Sequence, residues 1–144
     1  MSSIPLHYID LRTFCYVTED ENRVEDALRL FLPEEFEITR AESEGHYGDR
    51  ILVLSARVEN ADEMRTVLNN LGDLSDDEQT QVESELDERV DDNCSFFLTL
   101  DKQAAFNGRV ELGDGITLRA KVEAYPAKKE HALENIEELF DEVL

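Results

Sequence analysis

Cysteine, proline and glycine are scarce in this chain, and tryptophan is absent. The two cysteines, Cys15 and Cys94, stand far apart in apolar segments, which excludes a disulfide framework and a zinc site and predicts two buried free thiols. No apolar run approaches the roughly 18 residues that a membrane span needs. The opening MSSIPLHYIDLR lacks the basic head and long apolar stretch of a signal peptide, so we expect a cytoplasmic protein with no membrane contact.

Lysine is also scarce, and it is unevenly placed. The chain has 35 acidic and 14 basic residues, a formal charge of −21, and its four lysines all fall between Lys102 and Lys129. Because molar salt screens the repulsion between carboxylates, this composition is typical of the cytosol of an extreme halophile. We therefore predict a halophilic source. The acidity is then background, and the basic window 102–129 is the feature that indicates an anionic partner.

The 144 residues, of which 41% are apolar, predict one folded domain over residues 1–144. Alternating apolar residues indicate strands, and capping residues before an apolar stripe indicate the starts of helices. The predicted strands are Ile4–Val17, Phe36–Ser43, Ile51–Glu59, Cys94–Leu100, Val110–Leu112 and Ile116–Tyr125. The predicted helices run from a capping box at Thr18–Glu21 to Pro33, from Asn60 to Gly72, from Ser75 through Val90, over the single turn Asp101–Asn107, and onward from Pro126.

Short turns join successive strands in two predicted hairpins, one around Glu44–Asp49 and one around Gly113–Gly115. This connectivity favours an α+β fold of two layers, in which a mainly antiparallel sheet carries its helices on one face. The other face of such a sheet stays open unless a partner or a second subunit covers it.

The segment from Asp101 to Gly108 is the first candidate site. Asp101 can cap a short helix whose first backbone amides would point outward beside Lys102 and Gln103, and helix N-termini with a nearby lysine bind phosphate. The alternative is a solvated connecting turn whose apolar residues only fill the core. The residues alone leave both open.

The strand Ile116–Tyr125 is the second candidate site. Its alternation sends Arg119, Lys121 and Tyr125 to one outer face, where two cations and an aromatic ring could contact a backbone and stack a base. The alternative is an ordinary solvated face paired with acids of a neighbouring strand. The first strand offers a similar outer row, for which packed aromatics are the alternative. That row is Tyr8, Arg12, Phe14 and Tyr16.

Other signals for chemistry are weak. Lys128 and Lys129 begin the last helix, where the macrodipole disfavours cations, and this conflict is only a slight functional hint. The three histidines are scattered without metal-ligand spacing, and the acid run 73–92 lacks the pattern of a calcium loop. No nucleophile elbow, phosphate loop, HExxH or CxxC is present. We therefore expect no enzyme activity, no metal and no cofactor.

Three segments carry a family resemblance: PLHYIDLRTFCYVTED, AESEGHYGDRILVLSARVEN and FFLTLDKQAAFNGRVELGDGITLRAKVEAYP. Together they resemble a small archaeal family of RNA-binding proteins described as predicted exosome subunits, and the likeness runs from residue 4 to about residue 142. The resemblance implies a two-layer α+β fold similar to one seen in a ribosomal protein. It also implies RNA association without catalysis. The positions that it favours are Lys102, Gln103, Arg109, Arg119 and Lys121.

The leading hypothesis is a non-catalytic RNA-binding accessory protein, linked to RNA processing or degradation by the archaeal exosome. Its partners would be single-stranded or structured RNA and exosome or ribosome-related proteins. The alternative is a protein–protein interaction module or homodimer that uses the open sheet face without touching RNA. The predicted RNA-binding residues are Lys102, Gln103, Arg109, Arg119, Lys121, Tyr125, Lys128 and Lys129.

Overall fold

The computed structural model describes residues 4–45 and 48–143, and it contains one five-stranded sheet in the spatial order β2-β3-β1-β5-β4. Every neighbouring pair of strands is antiparallel. The strands are β1 (Leu6–Tyr16), β2 (Thr39–Glu44), β3 (Arg50–Val58), β4 (Ser95–Asp101) and β5 (Gly115–Val122). The helices are α1 (Glu21–Arg29), α2 (Ala61–Leu71), α3 (Asp76–Ser84), α4 (Leu86–Arg89), α5 (Lys102–Phe106) and α6 (Lys129–Val143).

The helices cover one face of this sheet, so the predicted two-layer α+β fold is confirmed. Alternate residues of the central strand β1, from Ile9 to Cys15, are buried in a single core with the apolar stripes of the helices. The ring of Phe96 on β4 meets that of Phe140 on α6 edge to face at 5.2 Å. The intervening residues of each strand lie on the opposite face, which we call the open face.

Both cysteines are free and buried, as predicted. Burial, followed by the negative charge of Glu19, raises the pKa of the Cys15 thiol. Since the thiolate is the reactive form, Cys15 belongs to the core rather than to a reactive site.

The start of α1 differs from the prediction. The N-cap is Asp20 and not Thr18. The Asp20 side chain accepts from Asn22 N–H at 2.9 Å, and the carboxylate of Glu21, the predicted partner of Thr18, instead accepts from Arg40 at 2.9 Å. The strand predicted from Phe36 begins only at Thr39. His46, in the predicted hairpin turn, lies outside the described residues.

The predicted hairpin between Val110–Leu112 and β5 is wrong. The segment instead follows the edge of β4: Leu112 forms an isolated bridge with Leu100, and Asp101 N–H donates to the Glu111 carbonyl at 2.8 Å. The cause is that β5 already pairs with β1 on one side and with β4 on the other. No edge of β5 is left for a third strand.

The predicted single helix from Ser75 through Val90 is two helices. The capping box at Ser75 is confirmed, with Glu78 as its reciprocal partner. Helical geometry is lost at Glu85 (φ −103°, ψ 9°), and Val90 is extended and bridges to Phe96. After the second of these helices, α4, the chain passes into the sheet layer at Val90.

Replacing Glu78 by alanine is expected to lower the free energy of unfolding by about 1–3 kcal/mol, because the Leu112 amide would lose its acceptor. Burial acts to raise the pKa of Glu78, but hydrogen bonds from Leu112 N–H, at 2.7 Å, and from Ser75 outweigh it and lower that pKa. Urea unfolding at neutral pH measures the change. The matched control is Glu83→Ala, an exposed acid on the same helix, and an equal loss in both variants would contradict the role given to Glu78.

Candidate nucleic-acid interface

The open face is built from the strand positions that alternate with the core positions. The pairing register places their side chains in rows that run across the sheet. They are Tyr8, Asp10, Arg12, Phe14 and Tyr16 of β1; Thr39, Ala41 and Ser43 of β2; Ile51, Val53, Ser55 and Arg57 of β3; Ser95, Phe97, Thr99 and Asp101 of β4; and Thr117, Arg119 and Lys121 of β5.

One row places Asp10 between two arginines, Arg119 on β5 and Arg57 on β3. Asp10 accepts two hydrogen bonds from Arg57, at 2.8 and 2.9 Å, and these bonds raise the pKa of the guanidinium. The same guanidinium lies 4.0 Å from the ring centre of Tyr8, whose hydroxyl accepts a hydrogen bond from Arg119 at 3.3 Å. The carboxylate therefore neutralises and fixes Arg57, while Arg119 keeps most of its donors.

The next row is centred on Arg12, which lies between Ser55 and Thr117. Its guanidinium is 5.5 Å from the ring centre of Phe14. Within residues 4–45 and 48–143, no carboxylate lies within ion-pair distance of Arg12 or Arg119. These two guanidinium groups are the ones available to an anion.

The charge of this face is opposite to that of the chain. Four of its positions are basic (Arg12, Arg57, Arg119 and Lys121) and two are acidic (Asp10 and Asp101), whereas the whole chain has 35 acids against 14 bases. The helix layer and the loops therefore carry nearly all the negative charge, and the open face is positive against that background.

A shallow depression of about 420 Å³ crosses the middle of the open face. Side chains of all five strands line it, among them Asp10, Arg12, Arg57, Phe97 and Arg119. It therefore brings both available guanidinium groups to one concave surface.

Lys102 does not lie on the surface, which corrects the prediction for the Asp101–Gly108 segment. Its residue is 8% exposed, and its ammonium donates to the Phe14 carbonyl at 2.6 Å and to Glu19 at 2.8 Å. Its stem packs on Gly115 (φ +114°), where a Cβ would stand 2.5 Å from the Lys102 Cβ. Lys102 thus joins the ends of β1 and β5.

At the start of α5, the candidate phosphate site, two of the first backbone amides already have acceptors within the chain. Asp101 caps the helix as predicted, but its carboxylate accepts from Ala104 N–H at 2.8 Å, and Lys102 N–H donates to the Asp114 carbonyl at 2.9 Å.

Gln103 is exposed, but on a helix that packs against α1 and not on the open face. Arg109 lies in the loop after α5, 3.6 Å from a carboxylate oxygen of Glu111.

Arg119 and Lys121 share the open face, as the alternation predicts, and the Lys121 ammonium donates to the Asn93 carbonyl. Tyr125 was expected in the same row, but β5 ends at Val122 and Tyr125 projects beyond it, 98% exposed. Lys128 is exposed, and Lys129 is 3.7 Å from Asp87 of α4.

The basic window of the sequence is therefore not one patch. The side chain of Lys102 packs on Gly115, the first residue of β5. Lys128 and Lys129 come after Val122, the last residue of that strand. The strand itself extends over roughly 25 Å from Gly115 to Val122. The structure brings together Arg119 and Lys121 with Arg12 and Arg57, and it leaves the other predicted residues elsewhere.

Arg57 and Phe97 belong to the open face but were not among the predicted site residues. For the row that contains Arg12, the sequence left two interpretations open, a binding surface and packed aromatic residues. The alternation of β3 places Arg57 outward, yet only the register shows that it faces Asp10. Within the described ranges, no group of three or more His, Cys, Asp or Glu residues could hold a metal ion, and no helix has the length and apolar character to cross a bilayer.

Comparison with known proteins gives consistent matches. Residues 8–122 match a family model described as RNA binding. Over 141 residues the chain is 36% identical to the RNA-binding protein PAB1135 of Pyrococcus abyssi, with 92% of each chain covered. The solved structure of Mth689, a DUF54 protein of Methanothermobacter thermautotrophicus, is 38% identical with a TM-score of 0.79, covering 94% of this chain and 98% of that one. Protein AF2318 of Archaeoglobus fulgidus is 29% identical with a TM-score of 0.84, covering 93% and 99%.

Proposed function

Because the chain belongs to the RNA-binding family whose model spans residues 8–122, we propose that it is a non-catalytic protein that binds RNA on the open face of its sheet. The observation that carries the proposal is the reversal of charge on this face, with Arg12 and Arg119 free of carboxylate partners among the described residues. The relative from Pyrococcus abyssi, which is named as an RNA-binding protein, supports the same partner.

Arg12 and Arg119 have one role in this proposal, and Arg57 has another. Arg12 and Arg119 project from neighbouring strands and donate to phosphate oxygens, for which the planar guanidinium is well suited. Arg57 pairs with Asp10 and packs on Tyr8, and so holds these two side chains in place beside them. Phosphate contacts position the strand without reading its sequence, so this part of the binding is independent of base identity.

Replacing Arg12 and Arg119 together by serine is expected to weaken RNA binding about tenfold or more, because each lost charge-assisted contact is worth roughly 1.5–3 kcal/mol in a desolvated site and less in water. The probe is a fluorescein-labelled RNA hairpin with a single-stranded tail, and the measurement is fluorescence anisotropy at high salt. Both side chains are exposed, so circular dichroism should show an unchanged fold.

The matched control is Arg23→Ser with Arg50→Ser, which removes the same charge from positions off the open face. Equal weakening in the two double variants means that only net charge matters and contradicts a site on the open face. Absence of binding by the unmodified protein contradicts the function itself and favours the protein-interaction alternative.

We further propose that the protein acts in RNA processing or degradation together with the archaeal exosome. The support for this finer function is the family resemblance of the sequence. Affinity purification of the tagged protein from archaeal cells at native salt, before and after ribonuclease treatment, tests it. Recovery of exosome subunits that survives the treatment supports direct association, and recovery of no subunit in either sample contradicts it.

A further inference from the structure

Two neighbouring aromatic rings, those of Phe14 and Tyr16, lie at one end of the open face. Phe14 is 37% exposed and Tyr16 is 49% exposed, although both lie on the central strand of the sheet. Their ring centres are 6.5 Å apart with the planes tilted by 33°. Phe97, 38% exposed, faces the depression from β4. Rings left in water on a central strand offer their faces to a planar ligand.

The two rings follow Arg12 along the same strand. Asp10, Arg12, Phe14 and Tyr16 follow one another at intervals of roughly 6.8 Å on β1. The ring spacing is also about twice the 3.4 Å separation of stacked bases, so each ring has room for a base of its own. An extended strand lying along β1 would thus meet guanidinium groups with its phosphates and rings with its bases.

A duplex could not use these rings. In A-form RNA the bases are paired and stacked, the major groove is deep and narrow, and proteins contact mainly phosphates and 2′-hydroxyls. Only unpaired bases can be splayed onto aromatic side chains. The depression of about 420 Å³ next to Phe97 suits a single unstacked nucleotide rather than a helix.

Lys102 fixes this aromatic end of β1. Its ammonium donates to the carbonyl of Phe14 and lies 5.4 Å from the ring centre of Tyr16. The buried lysine is therefore a positioning residue for both rings, and it makes no contact with a ligand of the open face itself.

We propose that the RNA bound by the open face is single-stranded, with successive unpaired bases stacked on Phe14 and Tyr16 and phosphates bound by Arg12 and Arg119. This inference rests on the proposed function and narrows it to one class of RNA. Stacking also gives a contribution that molar salt does not screen, whereas salt weakens phosphate contacts.

The test compares one labelled strand in two states. A fluorescein-labelled oligouridine of about 12 nucleotides is titrated alone and after annealing to oligoadenylate, at about 0.2 M and about 2 M potassium chloride. The free strand is expected to bind at least about tenfold more tightly than the duplex. Phe14→Ala with Tyr16→Ala should weaken binding of the free strand by about tenfold or more at both salt concentrations and leave duplex binding unchanged.

Tyr125→Ala is the matched control, since this ring is exposed but lies beyond β5; it should leave binding of both RNAs unchanged. If the alanine pair does not fold, Phe14→Leu with Tyr16→Leu keeps the apolar bulk and removes the ring faces. Equal binding of duplex and free strand, or unchanged binding after loss of both rings, overturns the inference while leaving the proposed function intact. If neither RNA binds, both fail.

Discussion

Replacing Lys102 by methionine is expected to lower the free energy of unfolding by about 2–3 kcal/mol, the range for removing one partner of a mostly buried, charge-assisted contact. Methionine keeps an apolar stem against Gly115 but removes the donor that satisfies Glu19 and the Phe14 carbonyl. Chemical unfolding at neutral pH measures the loss. Lys128→Met, at an exposed lysine, is the control and should change stability by less than about 0.5 kcal/mol.

The same pair predicts a dependence on pH. Burial acts to raise the pKa of Glu19, but the hydrogen bond from Lys102 and that from Tyr16 N–H outweigh it, so the pKa in the folded state lies below its ordinary value of 4.5. A carboxyl with a lowered pKa stabilises the fold above its ordinary pKa, and this contribution is lost as the pH falls through the folded-state value. The stability difference between the unmodified protein and Lys102→Met should therefore shrink below pH 4.5. A difference that stays constant from neutral to acid pH would contradict this account of Lys102.

Removal of salt is expected to have the largest effect of all, loosening or unfolding the domain. The formal charge is −21, and lowering potassium chloride from about 2 M to about 0.01 M lengthens the Debye screening distance from a few ångströms to about 30 Å. Carboxylates of the helix layer then repel one another across the molecule. Far-UV circular dichroism during dialysis, with a melting curve at each step, measures the effect.

The control for the salt effect is the same series in sodium chloride at matched ionic strength, which separates screening from a specific effect of the potassium ion. We expect a melting temperature that falls steadily as ionic strength falls. An unchanged melting temperature across the range would contradict the proposal that the protein comes from a halophile.

The strand alternation and the capping signals were sufficient to predict the fold class and part of the site. Arg119 and Lys121 share a face because successive side chains of any strand point to opposite sides. The Ser75 capping box is local chemistry that needs no tertiary partner. Features of this kind depend on a few neighbouring residues. The capping box expected at Thr18 is the exception, because the N-cap of α1 is Asp20.

The role of Lys102 could not be predicted, because its partners are distant in the sequence. Its ammonium meets the Phe14 carbonyl 88 positions away and Glu19 83 positions away. A lysine next to a helix cap usually stays in water, whereas this one is enclosed by the end of β1, by Glu19 and by Gly115 of β5. The basic residues of the window 102–129 are close in the sequence, which suggested one basic patch. In the structure, β5 runs between the two ends of this window.

The row in which Asp10 lies between Arg57 and Arg119 depends on strand register. Arg57 faces Asp10, and Asp10 faces Arg119, only because β3 and β5 both pair with β1 in the observed alignment. A shift by one residue would turn Arg57 toward the helices. The strand alternation predicts that Arg119 points outward, but only the register shows that Asp10 lies between Arg119 and Arg57.

Crosslinking followed by peptide mapping tests the central claim, that RNA lies on the open face, most directly. RNA containing 4-thiouridine is bound at molar salt, irradiated and digested, and the modified residues are identified by mass spectrometry. The account predicts crosslinks at Tyr8, Phe14, Tyr16 and Phe97, on four rows of one sheet face. Crosslinks confined to the helix layer or to Tyr125, with none on the open face, would contradict it.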